Sequence, residues 1–208
     1  MRLVLASQSP ARLATLRSAG VEPEVIVSGV DESVVQDSDP AGLALALAGL
    51  KAGAVADQLL TSGDQGVTMI IGCDSVLELD GKPYGKPMDE SIAIDRWRLM
   101  RDRSGVLHTG HQLIKISDGA ITESLGRGAA TTVHFADLSD AEIRAYVETG
   151  EPLAVAGSFT LDGLGGPFVT GIEGDPHNVV GISLPLLREM IIMVGHSWTE
   201  LWSGTGQR

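Results

Sequence analysis

The chain has one cysteine, Cys73, in 208 residues. That excludes an internal disulfide and any zinc site built from several thiolates, and it fits a reducing compartment. Aromatic residues are only 4% of the chain while hydrophobic residues reach 43%. The core therefore has to be packed from Leu, Val, Ile and Ala, and the apolar content argues against disorder. Cations are scarce: 15 Lys and Arg face 27 Asp and Glu, a formal charge of −12. A nucleic-acid polymer is gripped through many phosphate contacts at once, so this balance argues against such a partner. No stretch reads as the roughly 18 or more apolar residues of a membrane span. Met1 to Ala6 carries one charge and an uninterrupted run of only four apolar residues, Leu3 to Ala6, before Ser7, too short for a secretory leader. The expectation is a cytoplasmic protein without a membrane partner. The G-x-S-x-G elbow and the G-x-x-x-x-G-K-[ST] loop are missing too, so neither a serine hydrolase nor a P-loop enzyme is supported.

What is present is an alternation of apolar runs and helical patterns, which reads as α/β or α+β. Leu3 to Ala6 is a short buried strand. Ser9-Pro10 supplies an N-cap and a proline at the first helical position, and Gly20 closes that helix. Glu24 to Val27 reads as a strand, followed by a polar stretch from Ser28 to Asp39. Asp39-Pro40 repeats the cap-plus-proline signal ahead of an Ala/Leu-rich helix that runs to about Leu60. Val67 to Cys73 and Val76 to Leu79 are extended and lead to an Asp80-Gly81 turn. Ala93, Trp97 and Met100 mark one face of the next helix. Strands follow at Val106 to Ile116, ending in an Asp118-Gly119 turn, and at Ala129 to Phe135. Ser139 to Glu142 is a capping-box pattern ahead of a helix with Ile143, Tyr146 and Val147 inward. The six glycines between Gly157 and Gly174 require tight turns or close backbone approach. A last helix spans about Leu184 to Val194. No linker or repeat divides the chain, so a single domain of one or two lobes over residues 1–202, with a frayed tail at 203–208, is the economical organisation.

Counting from Ser9 as cap, Arg12 falls at the third helical position, where a cation opposes the helix dipole. The placement becomes favourable if an anion docks there, with free N–H groups, the hydroxyls of Ser7 and Ser9, and Arg12 converging on it. A solvated Arg is the plainer alternative. Asp74 ends the run from Met69 to Cys73, and a carboxylate at the end of a buried strand is a common catalytic or metal-binding position in α/β folds. It is equally a place for a turn residue. Asp31-Glu32 offers oxygen ligands for a hard cation such as Mg²⁺, or simply solvated acids. Of the four lysines, Lys86 lies between Gly85 and Pro87, which suits a cation held out from a stiff loop, and Lys51 lies in the Ala-rich helix. Lys82 and Lys115 adjoin hairpin turns and read as solubilising. Cys73 has no nearby His in the sequence and reads as a small buried hydrophobe. His108 and His111 fall on opposite faces of a strand and show no zinc spacing.

Together these segments resemble the Maf family of nucleoside triphosphate pyrophosphatases, in its actinobacterial branch. The resemblance is carried by Leu5 to Arg12, Asp31-Glu32, the Lys51 helix, Gly72 to Val76 and Gly85-Lys86-Pro87. It continues through Tyr146 to Pro152, Ala156 to Phe159, and Gly174 to Gly181 followed by Leu184-Pro185-Leu186. It implies an elongated α/β domain with a mixed twisted sheet, helices on its faces and a cleft between two lobes, like that of inosine triphosphate pyrophosphatases. It implies cleavage of a nucleoside triphosphate between the α and β phosphates with a divalent cation, Mg²⁺ or Mn²⁺. Asp74 takes the position of the family's proton acceptor, with Arg12, Lys51 and Lys86 as further catalytic groups. Ser7, Ser9, Arg12, Lys51 and Lys86 take its substrate contacts, and Glu32 with Asp74 its metal contacts. Ala11, Ser75 and Asp162 fall where the family selects its base. They match neither well-described subgroup, with a lean toward the one accepting methylated guanosine triphosphate. The family's Lys near Val155 is missing. The resemblance also allows a homodimer and a competing role, a non-catalytic nucleotide-binding regulator of septum formation and cell division.

Overall fold

The computed structural model of the chain describes residues 1–35, 39–62 and 66–202; the tail expected to fray lies outside them. Strand β1 (Arg2–Leu5) pairs in parallel with β2 (Glu24–Val25) on one side and β3 (Thr68–Leu79) on the other. Helices α1 (Pro10–Ser18) and α2 (Pro40–Ser62) make the crossovers that parallel pairing requires. From β3 onward the pairing is antiparallel, with β4 (Lys82–Tyr84) and β5 (Ser104–Ser117) on β3, β6 (Ala120–Phe135) on β5, and β7 (Val169–Glu173) on β6. The result is a mixed seven-stranded sheet in the order β2-β1-β3-β5-β6-β7, with β4 beside β3.

The local signals that set helix ends act as expected. Ser9 caps α1 by accepting from the Arg12 amide, and Gly20 beyond its end has φ +81°. Asp89 caps α3 (Glu90–Met100), and the reciprocal Ser139–Glu142 box opens α4 (Asp140–Glu148). The sequence reading has no strand at β4 or β7 and splits β3 into two segments, and two further strands differ from it in their bounds. β2 stops at Val25, because only β1 lies beside it and Val27 turns away to line a cavity. β6 begins nine residues early, at Ala120. Its first half mixes glycine and polar residues with Ile121 and Leu125, so no alternation marks it. It is held instead by the tight Asp118-Gly119 turn, with φ +51° and +75°, and by β5 along its whole length.

The apolar side chains form three clusters. Leu5, Met69, Ile71 and Leu113 pack one sheet face with α1 and with α6 (Leu184–Met193), which follows the short α5 (Pro176–Val180). Val4, Ile70 and Ile114 pack the other face under α2. Beyond them Leu77, Leu107 and Val133 form a second lobe with α3 and α4. The scarce aromatics concentrate there: Trp97 makes edge-on contacts to Tyr146, Phe135 and Phe168 at centroid distances of 5.6, 5.7 and 5.9 Å. β3 feeds both lobes, and Asp74-Ser75 is its half-buried step between them.

α2 corrects one expectation. Over Pro40–Thr61 its mean hydropathy is 1.4, long and apolar enough by length and composition to cross a membrane. Lys51 and the interspersed Ala and Gly hide that run from a search for continuous large apolar residues. In the fold Ala44, Ala48, Ala52, Val55 and Ala56 are buried against the sheet. Gly72 and Gly110 make the approach possible, since a Cβ on either would fall on the helix backbone, at Ala48 and Ala44 respectively.

Candidate active site

A cavity of about 600 Å³ opens between the lobes. It is walled by the start of α1, the Val27–Val30 segment, the middle of β3, the Gly85-Lys86 loop, residues 154–162 and Val179 to Gly181. Ten of the residues singled out in the sequence line it, Ser7, Ser9, Ala11, Arg12, Glu32, Lys51, Asp74, Ser75, Lys86 and Asp162, and Asp31 does not. The fold thus brings together six separate stretches of chain.

Arg12 is only 8% exposed. Its Nε donates to the Gly181 carbonyl at 2.7 Å, Nη1 to Ser7 Oγ at 3.1 Å and Nη2 to Ser75 Oγ at 3.2 Å. Every acceptor is neutral, and among the described residues Arg12 has no carboxylate partner. A buried cation in that state favours an anion from outside. The first turn of α1 has no acidic residue; Ser9 Oγ takes the Arg12 amide and Pro10 has none, so the Ala11 amide is the N–H of that turn left to add to the same demand. Ser75 is fully engaged here. The hydroxyl of Thr109 donates to the Asn178 carbonyl at 3.1 Å, so Ser75 donates its own hydrogen to Thr109 Oγ1 at 2.9 Å. It holds Arg12 and has no hydrogen left for a base.

Lys51 Nζ lies 2.9 Å from Glu32 Oε1 and 2.5 Å from Asp74 Oδ1. Lys51 and Asp74 are largely buried; Glu32 is half exposed. Asp74 is not at a strand end as expected. It is the seventh of twelve residues in β3, and the apolar run stops at Cys73 because the strand there leaves one core and crosses the cleft before entering the next. Asp31 does not reach the pair; its Oδ1 accepts from the amide and hydroxyl of Ser33 at 3.0 and 2.7 Å. Among the described residues there is no cluster of three or more His, Cys, Asp and Glu that could hold a metal. Glu32 and Asp74 still offer hard oxygen donors. Such a pair suits a magnesium-like cation, which takes one or two carboxylates and completes its shell with water and phosphate.

Lys86 is exposed at the cavity edge. The lining also has an apolar part, with Leu107, Val155, Phe159 and Val179, and Asp162 is an acid of the same lining. Glu151, within the Tyr146-to-Pro152 stretch but not singled out there, organises the segment around Thr160. It accepts from Tyr146 Oη at 2.9 Å, Thr160 Oγ1 at 2.5 Å, and the amides of Leu164 and Gly165 at 3.0 and 3.1 Å. Burial acts to raise the Glu151 carboxyl, but these hydrogen bonds outweigh it and hold the group below the ordinary carboxylate range.

Cys73 is buried, and burial pushes its thiol up to about 12. The ladder does set His111 across from it, which sequence separation concealed. His111 is buried as well: its Nε2 accepts from the Ser183 amide at 2.8 Å, so Nδ1 carries the proton to the Thr109 carbonyl at 3.1 Å. This pair is no nucleophile. Lys115 is half-buried, donating to the Val194 carbonyl at 3.1 Å rather than merely solubilising.

Residues 2–194 match the family model described as Maf-like protein. Over 203 residues the chain is 58% identical to a nucleoside triphosphate pyrophosphatase of Salinispora tropica, covering 98% of this chain and 88% of that protein. Over 202 residues it is 54% identical to a nucleoside triphosphate pyrophosphatase of Streptomyces coelicolor, covering 97% and 95%. A solved nucleoside-triphosphatase / dITP/XTP pyrophosphatase of Mycobacterium abscessus overlaps 66% of this chain and 76% of that one at 14% identity. Its TM-score is 0.37, too low to argue from.

Proposed function

The chain belongs to the Maf family, among its actinobacterial members, and we propose on that basis that it hydrolyses nucleoside triphosphates between the α and β phosphates. The products are a nucleoside monophosphate and pyrophosphate, and removal of non-standard nucleotides is the role this reaction suits. The observation that carries the reading is Arg12, buried, without a carboxylate partner among the described residues, and facing the same cavity as Lys51 and Lys86.

The triphosphate lies against the start of α1, where the Ala11 amide and the side chains of Ser7, Ser9 and Arg12 bind its oxygens. Lys51 and Lys86 offset charge on the departing pyrophosphate as the bond from the α phosphorus to the bridging oxygen breaks. Asp74 orients the attacking water and takes its proton on the oxygen that Lys51 leaves free. Glu32 and Asp74 would hold a divalent cation, Mg²⁺ or Mn²⁺, whose chemistry when bound is to neutralise phosphate charge and make the water more acidic. The apolar part with Phe159, together with Asp162, receives the base, and the Asp162 carboxylate is suited to N–H donors of a guanine edge.

A panel of triphosphates that includes modified bases, assayed with Mg²⁺, is expected to release pyrophosphate and not orthophosphate. Asp74→Asn is expected to lower kcat by about 100-fold or more with the fold retained. Near wild-type turnover in that variant sinks the role given to Asp74. Tight nucleotide binding without any product would favour the regulator of cell division instead.

A further inference from the structure

Two walls of the cavity are tied together by a cation that does not line it. Arg96 on α3 is 8% exposed. Its Nη1 donates both to the Gly85 carbonyl at 2.5 Å and to Ser158 Oγ at 3.0 Å. The guanidinium lies 5.2 Å over the Tyr84 ring, and among the described residues it has no carboxylate partner. The adjoining Trp97 Nε1 donates to the Ser158 carbonyl at 2.8 Å, and the Gly157 amide reaches the Gly85 carbonyl at 3.3 Å. Gly85 immediately precedes Lys86. Ser158 immediately precedes Phe159 and the segment to Asp162.

Ser158 also has φ +63°, directly after Gly157 at +73°. A non-glycine residue in the left-handed region persists where its surroundings over-determine it. Here α3 fixes both the hydroxyl and the carbonyl of Ser158. A fold that needed only volume at position 96 would be served by Leu or Met, without burying a charge. A guanidinium adds one planar nitrogen whose two hydrogens reach two separate walls.

We propose that Arg96 is a positioning residue that sets the spacing between Lys86 on the phosphate side and residues 159–162 on the base side, and so couples triphosphate grip to base selection. The assignment of the two sides rests on the pyrophosphatase reading. Affinity for inorganic tripolyphosphate, which has no base, reads the first side by calorimetry. The spread of kcat/KM across bases reads the second.

Arg96→Met is expected to weaken tripolyphosphate binding and raise KM about tenfold, with a smaller change in kcat, and to narrow the spread across bases. In a Lys86→Met background the same substitution changes tripolyphosphate affinity by less than about twofold, because the residue it positions is gone. Ser158→Ala, which removes one arm only, narrows the spread while tripolyphosphate affinity stays within about twofold. Arg96→Lys, with a cation but no planar donor, falls between wild type and Arg96→Met.

Losses at 96 and 86 that multiply overturn the proposal. So does an Arg96→Met defect that is equal for every base, spares tripolyphosphate and tracks only a lower melting temperature. If Arg96→Met does not fold, Arg96→Lys with Lys86→Met, and Ser158→Ala, decide the same two points. A wild-type protein that releases no pyrophosphate overturns the proposed function instead, and the tripolyphosphate measurements still read the coupling.

Discussion

His111 is held further from its solution behaviour than any exposed histidine could be. Burial lowers its pKa to about 4, and the nearby Arg12 charge acts in the same direction, while the hydrogen bond to the Thr109 carbonyl and the Asp175 charge act to raise it. The imidazole is therefore neutral in the folded protein wherever the amide of Ser183, the cap of α6, needs Nε2 as its acceptor. The sign follows from proton uptake. Above pH 6.5 neither state binds the proton and the contribution is fully present; between 6.5 and about 4 the unfolded chain takes it up and the native one does not. Stability is lost as the pH falls through that window, by roughly 3 kcal/mol in total. Urea unfolding at a series of pH values should show the wild type losing its advantage over His111→Gln as the pH drops from 7 to about 4. Parallel curves for the two proteins would show that His111 does not titrate on unfolding.

α2 places Lys51 beside Asp74 because two glycines on the sheet let the helix backbone come close. A Cβ on Gly110 would meet the carbonyl of Ala44 and the Cα of Leu45, none of which is a flexible side-chain end. Gly110→Ala is expected to cost about 1–3 kcal/mol and to lower kcat/KM, since Lys51 rides on the displaced helix. Gly53 in the same helix has nothing within 4 Å of the point where a Cβ would stand, so Gly53→Ala should stabilise by about 0.5–1 kcal/mol. Equal effects from the two substitutions, measured by thermal or urea unfolding, would contradict this packing argument. The same helix shows what a sequence can disclose. The Asp39-Pro40 start was legible, as were the caps of α1 and α4, because a cap acts on its own next few residues. The residues of the site were legible through the shortage of cations and the family's motifs. The position of Asp74 within β3 was not, since it depends on a second core that the strand enters beyond the cleft. Nor was the first half of β6, whose only cause is β5. Glu151 sat inside the Tyr146-to-Pro152 stretch, but its partners at 160–165 were not legible from it; Arg96 carries no motif, although an Arg beside Trp97 on the inward face of α3 was a signal: a cation at a core-facing position needs an acceptor.

The whole molecule carries a charge of −12, yet its cleft gathers Arg12, Lys51 and Lys86. Salt screens the distant acids over about 8–10 Å, and inside the cleft Glu32, Asp74 and Asp162 equal the cations in number, so placement decides what docks: Lys51 is paired with Glu32 and Asp74, while Arg12 has no carboxylate partner among the described residues. The charge count argues against a polymeric partner and leaves room for a monomer. The cleft is not a gap between independently folded halves. β3, β5 and β6 pair continuously past it, from Thr68–Ile116 at one end to Glu78–Val106 and Ser104–His134 at the other. The second lobe draws Leu77, Leu79, Leu107 and Val133 from strands whose other ends hold the first. Melting either lobe removes the ladder that holds the other, so the chain should unfold in one transition. A ligand that touches both lobes then stabilises all of it. At a hundredfold excess over Kd, pyrophosphate with Mg²⁺ adds about 2.7 kcal/mol, which for a chain of this size moves Tm by about 5–10 °C. Calorimetry should show a single endotherm that moves as a whole with pyrophosphate and Mg²⁺, and much less with Mg²⁺ alone. Two endotherms, only one of them moved by the ligand, would mean that the lobes fold separately and that the continuous strands do not couple them.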